Sequence, residues 1–171
     1  MIKSILKTIL RFVIFVLLQV WVLNNLHLFR IVEPFLYMYV ILKLPMRITR
    51  SQGILISFLL GLTVDIFSNT PGMHAAACTL AGFLRYPLIG MYVTKELTEN
   101  VTPSYRAFGT AAFMRYAATL TAIHHVTLFL IESVSFFDPL FLFLRILASV
   151  VLTTLCIFVL EAFNVNKRNS D

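Results

Sequence analysis

The sequence predicts an all-α, polytopic membrane protein: one bundle of six transmembrane helices, the second short or discontinuous, with both termini in the cytoplasm. Three observations carry that expectation. The 171 residues are 59% hydrophobic and only 13% charged, against about 45–50% apolar and about 25% charged in soluble domains. Mean hydropathy is +0.88, and the apolar residues fall in runs, several of them near the ~20 residues that cross a bilayer. Basic residues gather at the ends of those runs and form no patch interleaved with aromatics. The formal net charge of +6 therefore points to membrane topology and away from nucleic acid. Six spans with short connections use up the length, so a single transmembrane helical domain over 1–171 is expected.

The first span is expected from about Thr8 to Leu26, behind Lys3 and Lys7, with Arg11 able to snorkel toward the same side and Trp21 near the far interface. The run is long, holds Arg11 and lacks a small-residue cleavage site, so it reads as an uncleaved span. Asn24-Asn25 and the residues through Arg30 make a polar turn. The second apolar run, Pro34 to Leu44, has eleven residues, short for a span. Either a short helix starts at Pro34, where proline is tolerated in a first turn, or the element is discontinuous and buried among its neighbours. Lys43, Arg47 and Arg50 surround Pro45 in the next loop.

Span three is expected from Gly53 to Phe67 and span four from Met73 to Val93. The connection Ser68-Asn69-Thr70-Pro71-Gly72 is so short that the two must be antiparallel neighbours. In that turn Pro71 can fix φ and Gly72 can take a positive φ. Ala75, Ala76, Ala77, Cys78 and Gly82 give span four a small-residue face, and Pro87 should kink it or end its regular part near Tyr86. Thr94 to Tyr105 is the most polar internal stretch and reads as the longest loop. Span five follows from Arg106 to Ile131, with small residues at Gly109, Ala111, Ala112, Ala117 and Ala118. Both small-residue faces are candidate surfaces for a partner's helix. After a loop over Glu132 to Pro139, span six runs from Leu140 to Ala162, and the tail from Asn164 is polar.

Counting basic residues fixes the orientation. With both ends inside, the cytoplasmic side receives ten: Lys3, Lys7, Arg11, Lys43, Arg47, Arg50, Lys95, Arg106, Lys167 and Arg168. The outer side receives Arg30 alone, while Arg85, Arg115 and Arg145 fall within spans. That asymmetry requires an even number of spans.

Charge within the spans identifies the candidate site residues. Asp65 lies in an apolar run, where an acid is expensive and needs a partner or a use. At ~1.5 Å per residue it stands ~18 Å from the inner start of its span, in the outer half. Arg145 enters span six at comparable depth, His124 and His125 sit in the outer part of span five, and His74 follows the outer turn. An outer-half cluster of Asp65 with Arg145 and one or more histidines is expected. Arg85 and Arg115 fall in the inner half of adjacent antiparallel spans. Like charges cannot pair, so each needs carbonyls, waters, phosphates or a partner's acid. Asp65 reads as the only carboxylate within a span, which argues against a paired-carboxylate active site.

Adjacent histidines diverge by ~100° on a helix, poor spacing for one metal, so His124 and His125 read as satisfied buried groups. Cys78 and Cys156 lie in apolar runs without motif spacing and read as buried thiols. No Gly-rich phosphate loop after a strand, His-Glu-x-x-His, Cys-x-x-Cys or Gly-x-Ser-x-Gly occurs. Neither an enzyme nor a cofactor nor a metal is expected.

Gly61-Leu62-Thr63-Val64-Asp65, followed by Pro71-Gly72-Met73-His74-Ala75 and a small-residue helix reaching Arg85, resembles the rod shape-determining protein MreD family of bacterial cell-wall elongation. Length, a short second element between Pro34 and Pro45, six spans and cytoplasmic ends extend the similarity over essentially the whole chain. Arg115 and the His124-His125 pair depart from it. The resemblance implies a non-enzymatic scaffold of the bacterial inner membrane that maintains rod shape. It would associate with an MreC-type bitopic protein and, through it, with the actin-like MreB filament and the wall-synthesising glycosyltransferase and transpeptidase, with membrane lipid around it. Gly61, Asp65, Pro71, Gly72, His74, Arg85, Arg115 and Arg145 are then the structural or partner-binding candidates. The family is also similar in architecture to the substrate-binding S components of energy-coupling-factor vitamin transporters. The alternative expectation is such a transporter subunit, its outer-half cluster lining a small-molecule pocket above an ATP-driven module.

Overall fold

The computed structural model describes residues 2–21, 23, 32–94, 101–133 and 138–167. The polar turn expected before Arg30, the centre of the 94–105 loop, part of the 132–139 loop and the last four residues lie outside them. Among the described residues there are seven helices and no strand: α1 (Ile2–Trp21), α2 (Met38–Leu42), α3 (Arg50–Ser68), α4 (Met73–Tyr92), α5 (Tyr105–Phe108), α6 (Thr110–Glu132) and α7 (Pro139–Lys167). Helix α3 and the Pro139–Asn164 part of α7 are long and apolar enough to cross a membrane.

Helices α3 and α4 match spans three and four to within a few residues. Thr49 starts α3 with a capping box: its hydroxyl accepts from the Gln52 N–H at 3.4 Å and its own N–H donates to the Gln52 side chain at 3.1 Å. Such reciprocal bonds satisfy two of the donors that every helix start leaves open. Helix α1 begins at Ile2, ahead of the expected Thr8, because lysine limits depth in hydrocarbon without opposing helix. Span five is interrupted. Helix α5 ends and α6 begins at Gly109, whose φ of 85° only glycine adopts readily. Pro87 does not end its helix: α4 runs on to Tyr92, with the proline exposed on the bundle surface.

The α3–α4 hairpin makes the most extensive contact in the bundle; α4 packs on α6, α6 on α7, and α1 leans on α3. A Cβ built on Gly61 would overlap the His74 carbonyl and the Ala75 Cα, so the two helices meet backbone to backbone there. Gly61→Ala is therefore expected to destabilise the protein by roughly 1–3 kcal/mol, the usual cost of forcing an extra carbon into a packed site. Thermal unfolding in detergent checks this, and an unchanged midpoint would contradict the close approach. Ala75, Ala77, Cys78, Ala81 and Gly82 are buried inside the bundle. Most of the small-residue face of span four is thus spent on internal packing, with Ala76 left exposed. Cys78 is buried and Cys156 half-buried, both as free thiols.

Polarity is distributed inside out. Trp21, Ile66, Leu140 and Phe163 are 70–72% exposed, while Gln19, Lys43, Asp65, Arg85, His124, His125 and Glu161 are buried. This is the distribution that a bilayer around the bundle favours, since hydrocarbon reverses the usual cost of exposed apolar surface and drives polar groups to the bundle interior.

Residues 32–44 thread that interior. Glu33 precedes a proline, which disfavours helix there, and the chain stays non-helical through Phe35, turns at Leu36-Tyr37 and becomes helical only at Met38. The helix does not start at Pro34, because the backbone there is engaged by neighbouring side chains. Glu33 N–H donates to Ser149 Oγ (3.0 Å), Phe35 N–H to Thr153 Oγ1 (3.2 Å) and Leu36 N–H to Gln19 Oε1 (3.0 Å). The Pro34 carbonyl accepts from Gln19 Nε2 at 3.1 Å. Buried irregular backbone is tolerated only when its polar groups are satisfied in this way. Further along, Lys43 meets Glu161, so the segment follows α7 from Ser149 to Glu161, ~18 Å of helix. The alternative of a discontinuous, buried element is the one found.

Candidate functional site

Two buried polar networks stand at opposite ends of the 32–44 segment. The first is built on the α3–α4 hairpin. Helix α3 ends with Asn69 in the left-handed region at φ 55°, and Gly72 takes φ 81° before α4 starts. Pro71 and Gly72 are exposed at the tip of that turn. The reversal brings the amino end of α4 back onto the last turns of α3, where Asp65 receives it. Asp65 Oδ1 accepts from the His74 N–H at 3.0 Å and the Thr70 hydroxyl at 2.6 Å, and Oδ2 accepts from the Ala75 N–H at 2.8 Å. A carboxylate on open N–H groups at the positive end of a helix is a favourable arrangement. Gly61, one turn earlier, permits it by letting the backbones touch.

His74 turns its ring inward. The Tyr37 hydroxyl lies 2.7 Å from His74 Nδ1 and 2.9 Å from His124 Nε2. One hydroxyl can donate to one ring and accept from the other, which requires opposite hydrogen positions at the two nitrogens. His125 faces α7: its Nδ1 is 2.8 Å from the Thr121 carbonyl and its Nε2 is 3.1 Å from Thr153 Oγ1. These partners assign a proton to Nδ1 and let Nε2 accept from Thr153. Phe35 packs against all three imidazoles, with ring centroids 5.1–5.9 Å apart. Although the adjacent histidines diverge on α6, both are buried, because the 32–44 segment fills the space between α4 and α7. Cys78 Sγ is 3.8 Å from His124 Nε2, but both residues are fully buried and form part of this internal network.

Arg145 does not pair with Asp65. It donates to Glu33 at 2.8 Å and Glu132 at 3.0 Å, and its guanidinium lies 4.4 Å from the centre of the Phe129 ring. The physical reason is that Asp65 is saturated by its own hairpin, while α7 packs chiefly against α6. Arg85 is fully buried toward the other end of α4, where it donates to the Leu44 carbonyl and stacks near Tyr86. A carbonyl is one of the partners anticipated for it. Arg115 is exposed on α6. The structure therefore joins Gly61, Asp65, Pro71, Gly72 and His74 into one unit and places Arg85, Arg115 and Arg145 in three other environments.

The second network was not anticipated. Lys43 Nζ donates to both oxygens of Glu161, at 3.0 and 2.9 Å, and the two side chains are only 5% and 1% exposed. Tyr39 Oη donates to Glu161 at 2.8 Å and accepts from Asn164 at 2.7 Å, while the Tyr105 N–H approaches Glu161 at 3.4 Å. Asp65 is thus not the only carboxylate within an apolar run, and Lys43 is not a solvated flank. The signal was present: Glu161 follows Phe158-Val159-Leu160 and Lys43 sits between Leu42 and Leu44, the same costly placement that singles out Asp65.

No family model, curated protein or solved structure matches the chain. Function has to be read from the geometry. Among the described residues, no three His, Cys, Asp or Glu side chains are grouped to hold a metal. Asp65, Glu161, His74 and His125 bond to groups of the same chain, as does His124 through Nε2 while its buried Nδ1 has no partner among the described residues, and their chemistry is that of holding elements together.

Proposed function

We propose that this chain is a six-span protein of the bacterial inner membrane, with both termini cytoplasmic, that serves the cell-elongation machinery as a non-enzymatic scaffold. It maintains rod shape by linking an MreC-type bitopic partner, and through it the MreB filament, to the glycosyltransferase and transpeptidase of peptidoglycan synthesis. The similarity of its Gly61–Ala77 stretch to the MreD family supports this reading. The observation that carries it is internal: the outer-half polar residues lock the α3–α4 hairpin and the 32–44 segment, and Phe35 and Tyr37 fill the space among the histidines. A transporter subunit needs that region open to bind a solute; a scaffold needs it rigid.

Co-purification tests the proposal. The tagged chain, extracted in mild detergent, is expected to retain the bitopic partner. Among the described residues, the outward face of α6 exposes the small residue Ala111 beside Met114 and Arg115, and this is the surface left for its helix. Arg115→Glu should reduce the retained partner several-fold without shifting the unfolding midpoint. Retention of ATPase subunits in place of the bitopic protein would reverse the assignment.

A further inference from the structure

Between α1 and α3 the bundle leaves an open groove of about 730 Å³. Thr8 and Phe12 of α1 form one wall and Leu55 and Leu59 of α3 the other, with Arg47 and Gln52 at one end. Its lining is chiefly apolar, with Thr8, Arg47 and Gln52 as its polar residues. Arg47 is half-buried and makes no hydrogen bond or ion pair with a described residue. Gln52 accepts from the Thr49 N–H through Oε1, so its amide NH₂ remains available to donate. The amino end of α3 adds partial positive charge, Lys7 and Arg50 are exposed nearby, and no described carboxylate lines the groove.

We propose that this groove binds an anionic phospholipid, with an acyl chain between α1 and α3 and the phosphate on Arg47, Gln52 and the amino end of α3. The proposal rests on the membrane placement given above and not on the scaffold role. The charge count puts this end on the cytoplasmic side, where basic pockets between helices take anionic headgroups. A partner's helix would press apolar side chains against Arg47 and leave its guanidinium desolvated without a counter-charge. A phosphate pairs with it through charge-assisted hydrogen bonds. From Gln52 to Leu59 the groove follows ~10 Å of α3, the headgroup-proximal part of an acyl chain.

Native mass spectrometry of the purified full-length chain, incubated with phosphatidylglycerol or phosphatidylcholine, tests this. One phosphatidylglycerol should survive activation that strips phosphatidylcholine, with a preference of about fivefold per basic contact. Arg47→Gln should abolish the preference, and Leu59→Trp, which fills the apolar length, should lower retention of both lipids. Arg106→Gln, exposed on α5 at a different face, should change neither. Unfolding midpoints of the variants establish that each is folded, and carbonate extraction from vesicles reads the membrane placement separately. Equal retention of the two lipids, full preference in Arg47→Gln, or the same loss in Arg106→Gln overturns the proposal. So does displacement of the lipid by inorganic phosphate, which would mark a headgroup-only anion site. Disulfide-linked dimers of Leu55→Cys beyond the wild-type level would put a second copy in the groove and overturn it as well.

Discussion

Asp65→Leu should unfold the α3–α4 hairpin at a markedly lower temperature than the wild type. The substitution leaves the N–H groups of His74 and Ala75 and the Thr70 hydroxyl without their acceptor. Each unsatisfied buried donor costs about 1–3 kcal/mol, so a loss of roughly 3–5 kcal/mol is expected. Asp65→Asn keeps one carbonyl oxygen but sets an NH₂ group against a backbone donor, and should fall between the two. Circular dichroism melts in detergent measure the order wild type, Asn, Leu. If all three melt together, the carboxylate does not hold the hairpin and the side chain must be reassigned to a ligand or partner.

The second large effect belongs to the Lys43–Glu161 pair. Glu161→Leu strands a buried ammonium and also removes the acceptor of the Tyr39 hydroxyl. Breaking a buried pair by deleting one partner costs about 3–5 kcal/mol, whereas replacing both partners by apolar groups is often close to neutral. Lys43→Met should be damaging for the matching reason. The double variant Lys43→Met with Glu161→Leu should recover most of the stability and fall short of wild type by the acceptor that the Tyr39 hydroxyl and the Tyr105 N–H lose. Additive losses in the double variant, measured from the same melts, would show that the two residues act independently and that the 2.9 Å contact contributes little.

Legibility in the sequence followed the range of the interaction. The α3–α4 hairpin could be read because its signals are local: two long apolar runs, a five-residue connection, and a glycine where φ must be positive. The importance of Asp65 was legible from its cost in hydrocarbon, but its partner was not. Backbone N–H groups carry no sequence signature, so Arg145, a visible charge at comparable depth, stood in for them. Arg145 instead finds Glu33, an acid that the sequence places in an ordinary loop before Pro34. Lys43 was assigned to water by the same positive-inside argument that sets the expected orientation of the chain, since a basic residue ending an apolar run is usually a flank. Its burial depends on Glu161 arriving from 118 positions away, which no local pattern encodes. For the 32–44 segment, composition narrowed the choice to two shapes. The deciding donors and acceptors, Gln19, Ser149 and Thr153, lie on other helices.

Cell shape after depletion of this chain, with uptake of small-molecule vitamins followed in the same cells, tests the scaffold assignment most directly. Depleted cells are expected to lose rod shape and become spherical while uptake stays intact, and re-expression of the wild-type chain but not of Asp65→Leu should restore the rod. Cells that keep their shape and lose uptake would contradict the scaffold role and favour the transporter subunit.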